Sequence, residues 1–339
     1  MTVAIGLGVG TKNTNGEWLE VLFPAPLYQP ESATAQGLRD ALELPTENTT
    51  LTLSDDQLAK LAETHSLGEV SVQAEKLSGS VNPIALVIIE EDGTASSTPE
   101  VYLKLHLISH RLVKPHGINL DGIFGLLPNV AWTNKGAIDL AELPQRQLAA
   151  RMQGELLEVK SVDKFPQMTD YVVPSGVRIA DTSRVRLGAY IGEGTTIMHE
   201  GFVNFNAGTE GTSMVEGRIS AGVMVGKGSD LGGGCSTMGT LSGGGNIIIS
   251  VGESSLIGAN AGIGIPLGDR CTVESGLYIT AGTKVIMLDA EGNDVDAVKA
   301  RDLAGKPDLL FRRNSVNGRV ECLTNKTAIE LNEALHANN

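Results

Sequence analysis

Apolar positions along this chain follow two rhythms, and each predicts a different kind of element. In the first hundred residues, short apolar runs at 3–7, 18–22 and 84–89 have Gly, Asn or Pro near their ends and predict strands. Residues 32–44 and 55–65 carry helical spacing, good helix formers and a capping residue at each start. From Glu100 the pattern continues as helix. A Pro/Gly/Asn-marked loop over 114–134 follows, then a helix over 143–153 with Pro144 in its first turn.

Beyond residue 175 the rhythm changes to six. Aliphatic residues recur at Ile179, Val185, Ile191, Ile197 and Val203, then at Ile219, Val225 and Leu231. They resume at Val251, Ile257 and Ile263, and last at Leu267, Val273, Ile279 and Val285. Glycine is concentrated in the same stretch: 24 of the 41 lie between Gly188 and Gly282. A six-residue period suits a β-solenoid in which three short strands make one coil. The aliphatic residue fills a narrow interior and small residues turn the corners. The phase breaks at 204–216 and 232–246 predict loops thrown out from the solenoid wall, and 264–266 a short slip. In the tail, 293–304 reads as a connection, and Leu309–Arg313 with 318–323 as a hairpin around Asn317-Gly318. A terminal helix to about His336 is expected, with Thr327 and Glu330 in capping-box spacing.

The expected fold is therefore mainly β: a left-handed parallel β-helix of hexapeptide repeats with flanking units. An N-terminal α/β domain covers 1–110, a helical and loop connection 111–174, the β-helix 175–290 and a hairpin-plus-helix extension 291–339. The net charge of −14 argues against a nucleic-acid partner, though clustered Arg and Lys can still hold an anionic small molecule. Three scattered cysteines give neither a disulfide framework nor metal-site spacing, so a cytoplasmic setting is expected. No signal peptide and no apolar stretch of membrane-spanning length is apparent.

Several strings carry a family resemblance: YLKLHLISHRLVKPHG, GIFGLLPNVAWTN, DKFPQMTDYVVP, VRLGAYIGEGTTIMHEGFVNFNAGT, VEGRIS, GKGSDLGGGCSTMGTLSGGG, GANAGIGIPLGD, VKARDLAG and LLFRRNS. From about Glu100 onward the chain resembles the longer-chain branch of the tetrahydrodipicolinate N-succinyltransferases. That resemblance implies a homotrimer with active sites between adjacent solenoids. It also implies transfer of a succinyl group from succinyl-CoA, the co-substrate, to the amine of the dicarboxylate formed from tetrahydrodipicolinate, in diaminopimelate and lysine biosynthesis. It places a catalytic carboxylate at Glu216 of VEGRIS, as acyl-accepting nucleophile or as general base. The plainer reading of Glu216 is a surface ion pair with Arg218. The acyl-CoA contacts it implies are Arg218, Gly233, Ser236, Ala259, Glu274, Ser275, Gly282, Lys299, Arg312, Arg313, Asn314 and Ser315. Small residues suit the pantetheine arm, and Lys with paired Arg suit phosphates. Glu200 falls at a position near the trimer axis where three copies would share Mg2+ or another divalent cation. The second acidic position of some relatives is Ser183 here, with Asp181 close by.

Other constellations are weaker. His199 beside Glu200 is an alternative coil base, while His106, His110 and His116 read as packing or surface residues. Gly6-Leu7-Gly8-Val9-Gly10 follows a strand but lacks the full dinucleotide-binding pattern. The rival functions are an acetyl-CoA-dependent acyltransferase on another amino or sugar acceptor, a γ-type carbonic anhydrase, and a non-catalytic trimeric scaffold. The anhydrase needs histidines clustered across coils, and only His199 lies in the repeats.

Overall fold

A computed structural model describes residues 2–240 and 247–324. The terminal helix expected around Thr327 and Glu330 lies outside them. The chain divides into two compact units. One comprises Met1–Leu107, Gly117–Pro166 and Asp170–Val172, the other Ile108–His116, Gln167–Thr169 and Val173–Asn339.

The N-terminal unit contains β1 (Ala4–Lys12), β2 (Trp18–Leu22), β3 (Leu27–Tyr28), α1 (Ser32–Leu42), β4 (Thr49–Leu53), α2 (Asp55–Glu63), α3 (Glu69–Leu77), β5 (Ile84–Ile89) and α4 (Thr98–Ser109). The strands pair in the order β2-β1-β5-β4, with β3 also on β1. Ile5 and Leu7 pack with Ile84, Leu86 and Ile88 against apolar residues of α1, α2 and α3. The intervening glycines face the other way. A Cβ on Gly6 would lie 2.7 Å from Leu103 of α4 and from Phe23, so this glycine admits a helix close to the strand. The Gly-rich run is thus strand interior and not a phosphate-binding turn. Ser54 caps α2 through a capping box with Gln57. The segment 114–134, expected as loop, holds α5 (Ile123–Leu126) and β6 (Val130–Thr133). All four β6 residues are buried between β7 (Gly136–Asp139) and β8 (Val159–Asp163), and so short a run carries no readable period. Between β7 and β8 lies α6 (Leu143–Met152), with Pro144 at its start.

The second unit is built on three parallel ladders visited in turn. Along one, Ile179, Ile197, Val215, Leu231, Ile257 and Val273 follow each other; along the next, Val203, Ile219, Thr237, Ile263 and Ile279. The third runs through Ile191, Thr209, Val225 and Val251 to Leu267. Of the fifteen aliphatic positions, all but Ile179 at the first rung are buried.

Two expected loops need correction. Residues 204–216 are not a loop: strands Ala207–Thr209 and Met214–Val215 keep the segment in the wall. The repeat continues through Thr209, fully buried and within 2.6 Å of the Thr195 hydroxyl, so a polar residue hid it. The real slip is shorter, a step of four instead of six between Val215 and Ile219. Likewise Ser236–Thr237 is a wall strand, and the excursion begins only after Met238, where Thr240 bridges Ile248. Residues 293–304 also depart from expectation. They contain an exposed strand, Asp294–Lys299, paired with Lys284–Leu288. The hairpin expected near Asn317 is present as Leu309–Arg313 with Val320–Thr324, and its first strand adds to the coil beside Thr272 and Val273. Among the described residues no helix is long and apolar enough to cross a membrane.

Every rung supplies one inward side chain to a face, so deleting a large one leaves a void that neighbours above and below cannot fill. We expect Ile257→Ala to lower unfolding stability by about 2–5 kcal/mol, read from urea midpoints at unchanged slope.

Candidate active site

The four-residue step at Val215–Ile219 leaves only Glu216, Gly217 and Arg218 to turn a corner of the coil. Gly217 has no alternative there, because a Cβ would run into Cys235 Sγ on the next coil. The Glu216 amide donates to Leu231 O at 2.8 Å, and its carbonyl accepts from Gly234 N at 3.2 Å. Its half-buried carboxylate lies beside Gly233, where a Cβ would come to 3.7 Å from Oε2. No hydrogen bond or ion pair among the described residues ties that carboxylate down. Arg218 is not its partner. The Arg218 guanidinium donates to Ser236 Oγ at 2.6 Å, so the surface ion pair is not formed. Cys235, the nearest other nucleophile, is disabled: burial pushes its thiol up to about 12, and the Glu216 charge adds to the rise.

Arg218, Gly217, Cys235 and Ser236 line a cleft of about 450 Å³ together with Arg184, Glu200, Phe202 and Gly234. The other expected contacts fall on successive rungs. Asn260 N donates to Gly233 O at 2.9 Å, and Gly276 N to Ala259 O at 2.8 Å. Ser275 sits so close to Gly258 that a Cβ there would lie 2.5 Å from its amide. Glu274 N donates to Phe311 O, and Glu274 Oε2 accepts the Arg313 amide at 2.6 Å. Glu216, Gly233, Ala259, Glu274, Ser275 and Arg313 therefore form one column along a single corner.

The remaining residues lie elsewhere. Gly282 lies in the turn after Tyr278–Thr280, and Lys299 ends the strand Asp294–Lys299, where it pairs with Lys284 and Ala300 N donates to Thr283 O. Arg312 and Asn314 are engaged by Glu321, at 3.0 and 2.7 Å, and Ser315 is in the exposed hairpin turn. Of the two adjacent arginines, only Arg313 presents a guanidinium without an acidic partner; its Nη1 donates to Gly318 O.

His199 and Glu200 are exposed and 3.9 Å apart. Asp181 is occupied by Ser183, whose hydroxyl at 2.6 Å holds the carboxyl below its usual range. Among the described residues no three His, Cys, Asp or Glu side chains gather as a metal site. One chain therefore does not assemble a cation site around Glu200. His106 is fully buried and structural: the Phe23 amide donates to its Nε2, and its Nδ1 meets Tyr102 O. His116 binds Gly222 O.

The coil and its glycine corners define the class first. Residues 248–281 match the family model described as the hexapeptide repeat of succinyl-transferase. Residues 38–125 and 127–167 match the N-terminal and middle models of tetrahydrodipicolinate N-succinyltransferase. Relatives from Pseudomonas paraeruginosa and Pseudomonas aeruginosa, both named 2,3,4,5-tetrahydropyridine-2,6-dicarboxylate N-succinyltransferase, are 66% identical over 99% of this chain and 98% of theirs. A Vibrio cholerae protein of the same name is 61% identical, covering 99% of each. A Campylobacter jejuni crystal structure, described under the name 2,3,4,5-tetrahydropyridine-2-carboxylate N-succinyltransferase, matches with a TM-score of 0.88 at 33% identity. The match covers 97% of this chain and 93% of that one. This chain belongs to the tetrahydrodipicolinate N-succinyltransferase family.

Sequence reasoning missed Glu321. Its side chain is 1% exposed, covered by Arg312, Arg319 and Asn314. The Asn314 amide, then the two arginines, hold its carboxyl below the ordinary range against the opposing effect of burial. A lowered folded value means stability that is present above the ordinary carboxylate range and lost as pH falls through the folded value. Glu321→Gln should then cost on the order of 1–2 kcal/mol at neutral pH, with the half-exposed arginines discounted. In urea titrations of both proteins the gap should close as the pH is lowered into the acid range.

Proposed function

We propose that this protein is a CoA-dependent N-succinyltransferase. It moves a succinyl group from succinyl-CoA to the amine of hydrated tetrahydrodipicolinate, giving N-succinyl-2-amino-6-oxopimelate and CoA in the diaminopimelate route to lysine. The observation that carries this reading is identity of 61–66% over essentially the whole chain with relatives named for that reaction. The finer architecture proposed is a left-handed parallel β-helix, trimeric, with each site completed between subunits, in the cytoplasm. The six-residue period and the three parallel ladders support the parallel β-helix part of this reading.

Glu216 is the proposed reacting group. As nucleophile, its carboxylate attacks the thioester carbonyl, the C–S bond breaks, and CoA leaves as thiolate. The acceptor amine then attacks the resulting mixed anhydride, Glu216 is released as carboxylate, and the amine sheds a proton. As general base, Glu216 takes that proton while the amine attacks the thioester directly, the C–S bond breaks and CoA leaves as thiolate. A carboxylate without a hydrogen-bond partner suits either role, because nothing must be displaced before it reacts. The column Gly233, Ala259, Glu274 and Ser275 is the proposed track for the pantetheine arm, with Arg218 and Ser236 beside it. Arg313, with Lys299 and the turn Arg312, Asn314 and Ser315, is proposed for the CoA phosphates. Gly282 keeps its turn open for the same ligand. A divalent cation such as Mg2+ at a threefold axis would take one Glu200 from each of three chains, and neither route passes through it.

Thiol release measured with succinyl-CoA and acetyl-CoA, with and without enzymatically generated acceptor, tests the reaction. Succinyl-CoA with acceptor should turn over; preference for acetyl-CoA would defeat the assignment. A burst of CoA without acceptor selects the anhydride route. Glu216→Gln should lower turnover by about 10²–10⁴ while light scattering still reports three chains. Arg313→Ala should raise the apparent KM for succinyl-CoA by roughly tenfold with turnover little changed. A change confined to the acceptor KM would remove Arg313 from the CoA site.

A further inference from the structure

We propose that the N-terminal unit carries a second small-molecule site, a cleft that binds a free α-amino acid through Glu20 and Lys160. The cleft measures about 420 Å³, within the range of small-ligand pockets, and is lined by Glu20, Trp132, Thr133, Lys160, Asp170 and Tyr171 among others. All of these belong to one compact unit, and none enters the reaction proposed above.

Glu20 lies on β2 opposite Thr11 of β1, at the wall of the cleft. Its carboxyl is contacted only by neutral donors: the Tyr171 phenol at 3.2 Å, and Thr11. Tyr171 in turn packs against the fully buried Tyr102 with ring centroids 6.0 Å apart. Among the described residues no Lys, Arg or His pairs with Glu20. Burial raises its carboxyl above the usual range, and the hydrogen bonds only partly oppose this. A desolvated carboxyl with a cleft on its open side is stabilised as carboxylate by a cation arriving through that cleft. A ligand ammonium supplies one.

Two other charged residues line the cleft: Asp170 already has an interaction partner, and Lys160 is the unsatisfied one. Lys160 is exposed and has no hydrogen-bond or ion-pair partner among the described residues. The Trp132 indole N–H is already used by Asp163 O, so its ring serves as an apolar wall. The Thr133 hydroxyl is committed to Gly136 O. Two uncompensated charges of opposite sign on one small cleft select a zwitterion over a simple amine or acid.

The test is isothermal titration of the full-length protein with each proteinogenic L-amino acid, with n-butylamine and butyrate as controls. At least one amino acid should bind saturably, more tightly than either control. Glu20→Gln should weaken it about tenfold or more and Lys160→Ala about threefold or more. Turnover measured without added amino acid should be unchanged in both variants. At acidic pH, binding to the unmodified protein should release a proton to buffer, seen as heat that varies with the buffer's ionisation enthalpy, and Glu20→Gln should abolish this. Absence of binding by every amino acid at about 10 mM, equal binding by Glu20→Gln, or butylamine binding as well as the amino acid each overturns the proposal. Lys160→Ala, on an exposed side chain, keeps the test decisive if Glu20→Gln fails to fold.

Discussion

The coil unit depends on a single constraint: its interior admits one side chain per face per rung. Val225, Leu231 and Ile257 fill it so completely that they retain at most 1% of their exposure. Stacked parallel strands bring each inward residue over the one a coil earlier, and corners must be small enough not to hold the rungs apart. The glycine load follows. At Gly217, Gly232 and Gly258 a methyl group would press on the neighbouring coil.

The sequence made the coil legible because most interior slots are aliphatic, and periodicity is read from aliphatic residues. Its errors came from the slots that are not. Thr209 and Thr237 are interior, buried and hydrogen-bonded, and each falls within a segment that the aliphatic pattern reads as a loop. Burial on all sides likewise hid β6, and exposure on all sides hid Asp294–Lys299. A period appears only where one face is wet and the other dry.

For the candidate site, the motif around Glu216 could be read along the chain, but not the fate of the neighbouring cations. Arg218 turns to Ser236, and Arg312 to an acid nine residues on across the hairpin. Both diversions depend on register, which a linear reading does not supply. The first leaves Glu216 without a counter-ion among the described residues, beside a cysteine that burial keeps protonated.

The tail hairpin has a consequence for how copies of the protein avoid one another. A stack of parallel rungs has no intrinsic end, and an unsatisfied last rung would template another chain. Here Leu309–Arg313 pairs parallel on Thr272 and Val273, and the sheet then runs through Val320–Thr324, antiparallel to it, and Lys284–Leu288, parallel to that, to Asp294–Lys299 at its margin. That marginal strand is exposed and carries Asp296 and an Asp294–Arg319 ion pair, so an approaching copy meets charged side chains instead of a bare apolar ladder. The hairpin that carries the arginines of the proposed CoA site thus also covers the last rung of this ladder with polar strands.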